Sequence, residues 1–151
     1  MSKRDGFHLQ FFHEGRLALP PGDAERKEAA RLLFGAAMVE SVDGWVEQAG
    51  RVLRGAPEFA DYSDAQRESI LSLVAYASYG ALFSECVAMD QFLGGDIEVR
   101  LVERDEEGAA LGETLIAGAT EEELHHSFHD WAERFGDHYD ASAGSRFAVR
   151  S

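Results

Sequence analysis

A chain of 151 residues with 45% hydrophobic content, including 10 Phe, is the size of one domain and can order most of its length around a single core. Its 28 Asp and Glu against 14 Lys and Arg leave a formal net charge of -14, which argues against nucleic acid and anionic membrane as partners, since both are bound through Lys and Arg. The charge is uneven: residues 1–62 hold 10 acids and 8 bases, a sum of -2, whereas residues 63–151 hold 18 acids and 6 bases, a sum of -12, so a basic protein partner would prefer the second part.

The lone Cys86 excludes an intrachain disulfide and a multi-cysteine metal cluster, and its apolar helical setting reads as a buried small hydrophobe. No apolar stretch of signal-peptide length follows the basic start, and no segment reads as a membrane span, so the expected location is cytoplasmic.

In chain order, Phe7-His8-Leu9-Gln10-Phe11 alternates like a half-buried strand, with a turn at Gly15 and a second extended piece at Leu17 and Leu19. Pro20-Pro21-Gly22 ends extension, and Asp23 can cap a long helix carrying Ala29, Leu32, Leu33, Ala36 and Val39. Near Gly44 the apolar positions rotate toward Val42, Trp45, Val46 and Leu53, so either one helix bends there or two meet. After Pro57, Ser63 and Gln66 form a capping-box signature for a helix over about 64–93. Between Ser69 and Ser84 that helix has no charge and its large apolar residues point several ways, the pattern of a central helix shielded on more than one face.

Gly94-Gly95 breaks it, and Ile97, Val99 and Leu101 then alternate toward an acidic turn at 105–108, followed by Leu111, Glu113, Leu115 and Ala117: a β-hairpin with one face on the helices. Thr120 and Glu123 repeat the capping-box spacing before a helix whose Leu124, Phe128, Trp131 and Phe135 share one narrow face. Residues 140–151 read as a mobile tail or an edge strand. The fold class is therefore α+β: a mainly helical single domain over 1–151 with a small antiparallel sheet packed against the helices, which the N-terminal strand could join.

Two groups of residues could carry chemistry. His125, His126 and His129, with Glu122, have helical spacings of three and four that suit a zinc, iron or manganese site, with His129 as the member spaced to both other imidazoles. The overlapping Glu-x-x-His spacings over 122–126 occur only once, short of a di-iron bundle, and no His-Glu-x-x-His zinc-hydrolase signature is present. The second group is Glu40, Asp43 and Glu47, with Glu85 facing them as the sole charge between Ser69 and Met89, a candidate buried carboxylate held by hydrogen bonds or an Arg. No nucleophile elbow, phosphate loop or calcium loop is present.

These features point first to a non-enzymatic acidic protein-interaction domain, an adaptor, neutralising or assembly subunit that binds a basic protein or a second copy of itself. Glu113, Glu121 and Trp45 are its candidate contacts. The alternative is a small metal-dependent enzyme built on the histidine and carboxylate site.

Overall fold

The computed structural model describes residues 2–14, 16–93, 98–118 and 120–147. A first helix, α1, runs unbroken from Asp23 to Gly55. Its buried positions Ala29, Leu33, Ala36, Val39, Asp43, Val46, Gly50 and Leu53 recur at intervals of three and four, so one continuous stripe faces inward along its whole length. That resolves the alternatives at Gly44, which sits on the exposed side of a single helix. Gly22, rather than Asp23, is the residue before the first turn, and Asp23 lies inside it.

A short 3-10 turn at Pro57–Phe59 reverses the chain into α2, Asp64–Leu93. Here the expected capping box forms in full: Ser63 N–H donates to Gln66 Oε1 at 2.8 Å and Gln66 N–H to Ser63 Oγ at 3.2 Å. α2 buries a stripe, Ala75, Tyr79, Leu82 and Cys86, and leaves Leu73, Tyr76, Ala77, Gly80, Ala81 and Ser84 exposed. The expectation of a helix shielded on several faces is thus corrected, because α3, Leu124–Phe135, has 12 residues and cannot wrap a helix of 30. By length and composition alone, Asp64–Gln91 is apolar enough to cross a bilayer, with a mean hydropathy of 1.4. Cys86 is buried as expected, and that burial pushes its thiol up to about 11, which keeps it unreactive.

The four apolar positions of α3 are all within 3% of complete burial. Trp131 lies against Gly35 of α1, where a Cβ would overlap the indole, so the two helices approach closely only because position 35 has no side chain. Arg31 stacks on the same ring and donates to Ile116 O at 2.7 Å, Glu122 O at 2.9 Å and Ser127 Oγ at 2.9 Å. One guanidinium thereby joins α1, the end of the hairpin and the start of α3.

The sheet is α+β in the expected sense but divided into two antiparallel pairs. Residues His8–Phe11 form a 3-10 turn instead of a strand, and Phe7 and Phe11 meet edge-on across it at 5.5 Å. The extended pieces are β1, Phe12–His13, and β2, Arg16–Leu17, which pair with each other and not with the main hairpin. That hairpin is β3, Val99–Arg104, with β4, Ala110–Ala117. Its register opposes Leu101 to Thr114 and Glu103 to Gly112, so Thr114 faces the helices, as does Ile116, while Leu111 stays 66% exposed. Arg26 pairs with Glu103 and donates to Thr114 Oγ1 at 3.1 Å, anchoring both inward polar residues to α1. Gly15, the 94–97 segment with Ile97, and residues 148–151 lie outside the described residues. A short helix, α4, at Ala143–Arg146 occupies part of the region expected as tail or edge strand.

A carboxylate sits in the apolar stripe of α1. Asp43 is fully buried and accepts from Arg4 Nη1 at 2.5 Å, Tyr79 Oη at 2.5 Å, Asp137 N at 2.9 Å and His138 N at 3.4 Å. Arg4 also donates to Phe135 O at 2.7 Å. The Tyr79 hydroxyl is raised well above its usual value, by burial first and then by its bond to the carboxylate, so it stays a proton donor. Removing one partner of a buried charge pair leaves the other unsolvated, at a cost of about 3–5 kcal/mol. Asp43→Ala is therefore expected to lower the urea unfolding free energy by about that amount, with Arg4→Ala adding little in the Asp43→Ala background; full additivity of the two variants would contradict the coupling.

Candidate metal centre

Every helix start leaves backbone N–H groups without intrahelical acceptors. At α3 the expected Thr120–Glu123 box does not meet this need: Thr120 turns to Glu121, and Glu123, the residue before the first turn, makes no side-chain cap. The acceptor comes from α2. Asp90 Oδ1 receives Leu124 N–H at 2.7 Å and Oδ2 receives His125 N–H at 2.9 Å. The side chain of Asp90 is almost fully buried.

Asp90 Oδ2 also lies 2.7 Å from His125 Nδ1. An ionised carboxylate only accepts, so Nδ1 carries a proton, and in the neutral imidazole Nε2 is the nitrogen with the lone pair. Burial would raise the Asp90 carboxyl, but the His125 and Leu124 amides and the His125 ring outweigh it and hold the group below the usual carboxylate range. His125 Nε2 then lies 3.7 Å from Glu123 Oε2, and His126 Nε2 lies 3.4 Å from the same oxygen. The ligand atoms of Glu123, His125 and His126 all fall within 4.8 Å of one another.

A tetrahedral zinc with bonds of about 2.0–2.1 Å separates its ligand atoms by about 3.3 Å. The two histidine–glutamate separations are close to that spacing. The donor set, two imidazoles and a carboxylate, suits zinc or a neighbouring first-row divalent ion and leaves at least one coordination position open. Asp90 supplies the outer partner that metal-bound histidines commonly have.

The expected ligand set changes in two places. Glu122 gives way to Glu123, whose Oε2 lies near both imidazole Nε2 atoms, while the Glu122 carbonyl is held by Arg31. His129, expected to bridge the other imidazoles, instead places Nδ1 at 2.9 Å from Tyr139 Oη and packs on Phe83. The signal that could have found Glu123 was its three-residue spacing to His126. Asp90 had no comparable local signature, because its role depends on where α2 meets α3.

The carboxylate group is also redrawn. Asp43 alone is buried; Glu40 is exposed 3.8 Å from His8 Nε2, and Glu85 is exposed on α2. Of the expected interaction residues, Trp45 is 71% exposed and Glu113 is exposed near Arg100, whereas the Glu121 carboxylate is nearly buried against Lys27 at 2.5 Å. No family model, curated protein or solved structure matches the chain.

Asp90 gives α3 a pH dependence of definite sign. Its folded pKa is depressed, so its contribution is present above the unfolded carboxylate value of about 3.9 and is lost as pH falls through the folded value. Asp90→Ala should cost about 1–2 kcal/mol near neutral pH, as loss of a helix cap does, with a smaller penalty at acid pH. Urea unfolding at neutral pH and near pH 3 measures this; a penalty that grows on acidification would contradict the sign.

Proposed function

We propose that the chain is a divalent-metal-binding protein, with Glu123, His125 Nε2 and His126 Nε2 as ligands and Asp90 as the residue that orients His125. The observation that carries this reading is the double hold of Asp90 on His125: one carboxylate accepts both its amide and its Nδ1–H, so the remaining ring nitrogen is turned toward Glu123. A cation at a helix N-terminus meets the positive end of the helix dipole. The local acids oppose that penalty: Asp90 neutralises the first amides and Glu123 adds a second carboxylate at the ligand cluster.

Bound there, a zinc ion would act as a Lewis acid toward a water or an oxygen ligand at its open position. Zinc titration of tag-free protein by isothermal calorimetry tests the assignment. One site is expected, abolished by His125→Ala or His126→Ala and weakened about 10–100-fold by Asp90→Asn. His129→Ala and Glu122→Gln should bind as the parent does. Zinc binding that survives His125→Ala but not His129→Ala would replace this ligand set.

A second reading, docking of a basic protein, draws on Trp45. Its ring lines a trough of about 580 Å³ between α1 and α2, with Val52, Phe59, Ile70 and Val74 beside it. An exposed indole over an apolar floor is a suitable anchor site, and the -14 charge favours a basic rim on the partner. Trp45→Ala should leave the unfolding midpoint nearly unchanged while weakening retention of the protein's partner at least tenfold, about 1.4 kcal/mol. Unchanged retention would remove Trp45 from the interface, and sedimentation of the isolated protein distinguishes a second copy from another chain.

A further inference from the structure

A separate hollow lies where α2, α3 and the 139–144 segment meet. Its volume is about 380 Å³, and its walls include Tyr76, Phe83, Phe128, His129 and Tyr139, with Asp140 at one side. Phe83 packs edge-on to Phe128 at 5.4 Å and tilted to His129 at 5.7 Å, and Phe128 meets Tyr139 edge-on at 6.3 Å. The contact between Tyr139 Oη and His129 Nδ1 holds two of these rings in place. Tyr76, 42% exposed, stands at the solvent side.

The chemistry of the walls selects among ligands. Among the described residues, the lining contains no Lys or Arg, so an anion entering it would find no cationic partner there. Asp140 is paired with Arg146 and accepts from Ser142, which removes it as a strong single counter-ion and leaves the aromatic rings as the dominant feature. Aromatic faces carry negative quadrupole charge and attract cations, most effectively ones whose charge is spread over methyl or aryl groups that do not demand hydration. The surplus of acids across residues 63–151 adds a negative potential of the same preference. A volume near 380 Å³ is that of a small-molecule site.

We propose that this hollow binds a small organic cation of the quaternary-ammonium type among the rings of Tyr76, Phe83 and Tyr139 that line it. The site shares no proposed ligand with the metal centre and does not depend on it. His129, which the metal reading leaves out, belongs here instead.

The test uses choline and its uncharged carbon analogue, 3,3-dimethylbutan-1-ol, titrated into the full chain in the presence of EDTA and followed by NMR of the aromatic side chains. Choline should shift the Tyr76, Phe83, His129 and Tyr139 resonances saturably in the millimolar range, and the neutral analogue should bind about tenfold or more weakly, the difference being the cation–ring attraction. Tyr139→Leu and Tyr76→Leu should each weaken choline binding several-fold; Tyr76, being half-exposed, provides the variant that keeps the fold if Tyr139→Leu does not. Equal affinity for both probes would overturn the proposal, leaving an apolar hollow indifferent to charge. So would choline shifts that spread over the acidic surface, vanish with salt and ignore both ring variants, or no shift at all up to about 50 mM choline.

Discussion

The fold depends on one carboxylate in an apolar place. Asp43 occupies the slot between Val39 and Val46 in the buried stripe of α1, where a hydrophobic side chain would ordinarily pack. A charge there is tolerable only when its oxygens are satisfied by donors. Those donors come from three otherwise separate parts of the chain: Arg4 from the N-terminal segment, Tyr79 from α2, and the amides of Asp137 and His138 after α3. Apolar contacts could bring these elements together in several registers. Directional bonds to one acceptor fix a single register, and Phe7 stacking on Phe135 at 4.7 Å completes the N-terminal clasp beside it.

With α1, α2 and the end of α3 tied at Asp43, the opposite end of α3 is positioned by two further polar contacts. Arg31 gathers the carbonyls of Ile116 and Glu122, so the chain leaving β4 enters α3 at a defined point on α1. Asp90 then receives the first amides of the helix from the other side. The indole of Trp131, seated over Gly35, sets the spacing between α1 and α3 midway between these ties. The geometry at His125 is thus a consequence of packing well away from it: a one-residue shift in the register of α3 would turn His125 about 100° away from Asp90.

How much of this could be read from the chain follows from which contacts are local. The amphipathic face of α3, the Ser63–Gln66 cap, the hairpin and the α+β class all arise from periodicity or short spacings, and the structure contains them. Which face of β4 turns inward was not legible, because the partner that draws Thr114 inward, Arg26, is 88 residues away. Asp43 stood with Glu40 and Glu85 among the candidate buried carboxylates; its place in the three-four rhythm of Val39, Val46 and Gly50 was the clue that separates it from the other two, which are exposed. Asp90 carried no clue of its own. A carboxylate that caps a helix in another part of the chain has no spacing to betray it, so the site could be located to 122–129 from sequence while its ligand set could not.

The same distinction separates two successive turns of α3 in chemistry. Near its start, Asp90 fixes the His125 tautomer and turns Nε2 toward Glu123, which favours a hard-to-borderline cation that accepts nitrogen and oxygen lone pairs. One turn later, His129 is held by a phenol and enclosed by rings, where no carboxylate lies within hydrogen-bonding distance in the described contacts, so its surroundings favour diffuse rather than concentrated positive charge. Three imidazoles within five residues therefore fall into two environments. The division is made by α2, whose Phe83 packs against both His125 and His129 while Asp90, seven residues further on and on nearly the same face, reaches His125. Helical periodicity in α2, rather than in α3 itself, decides which histidines act together.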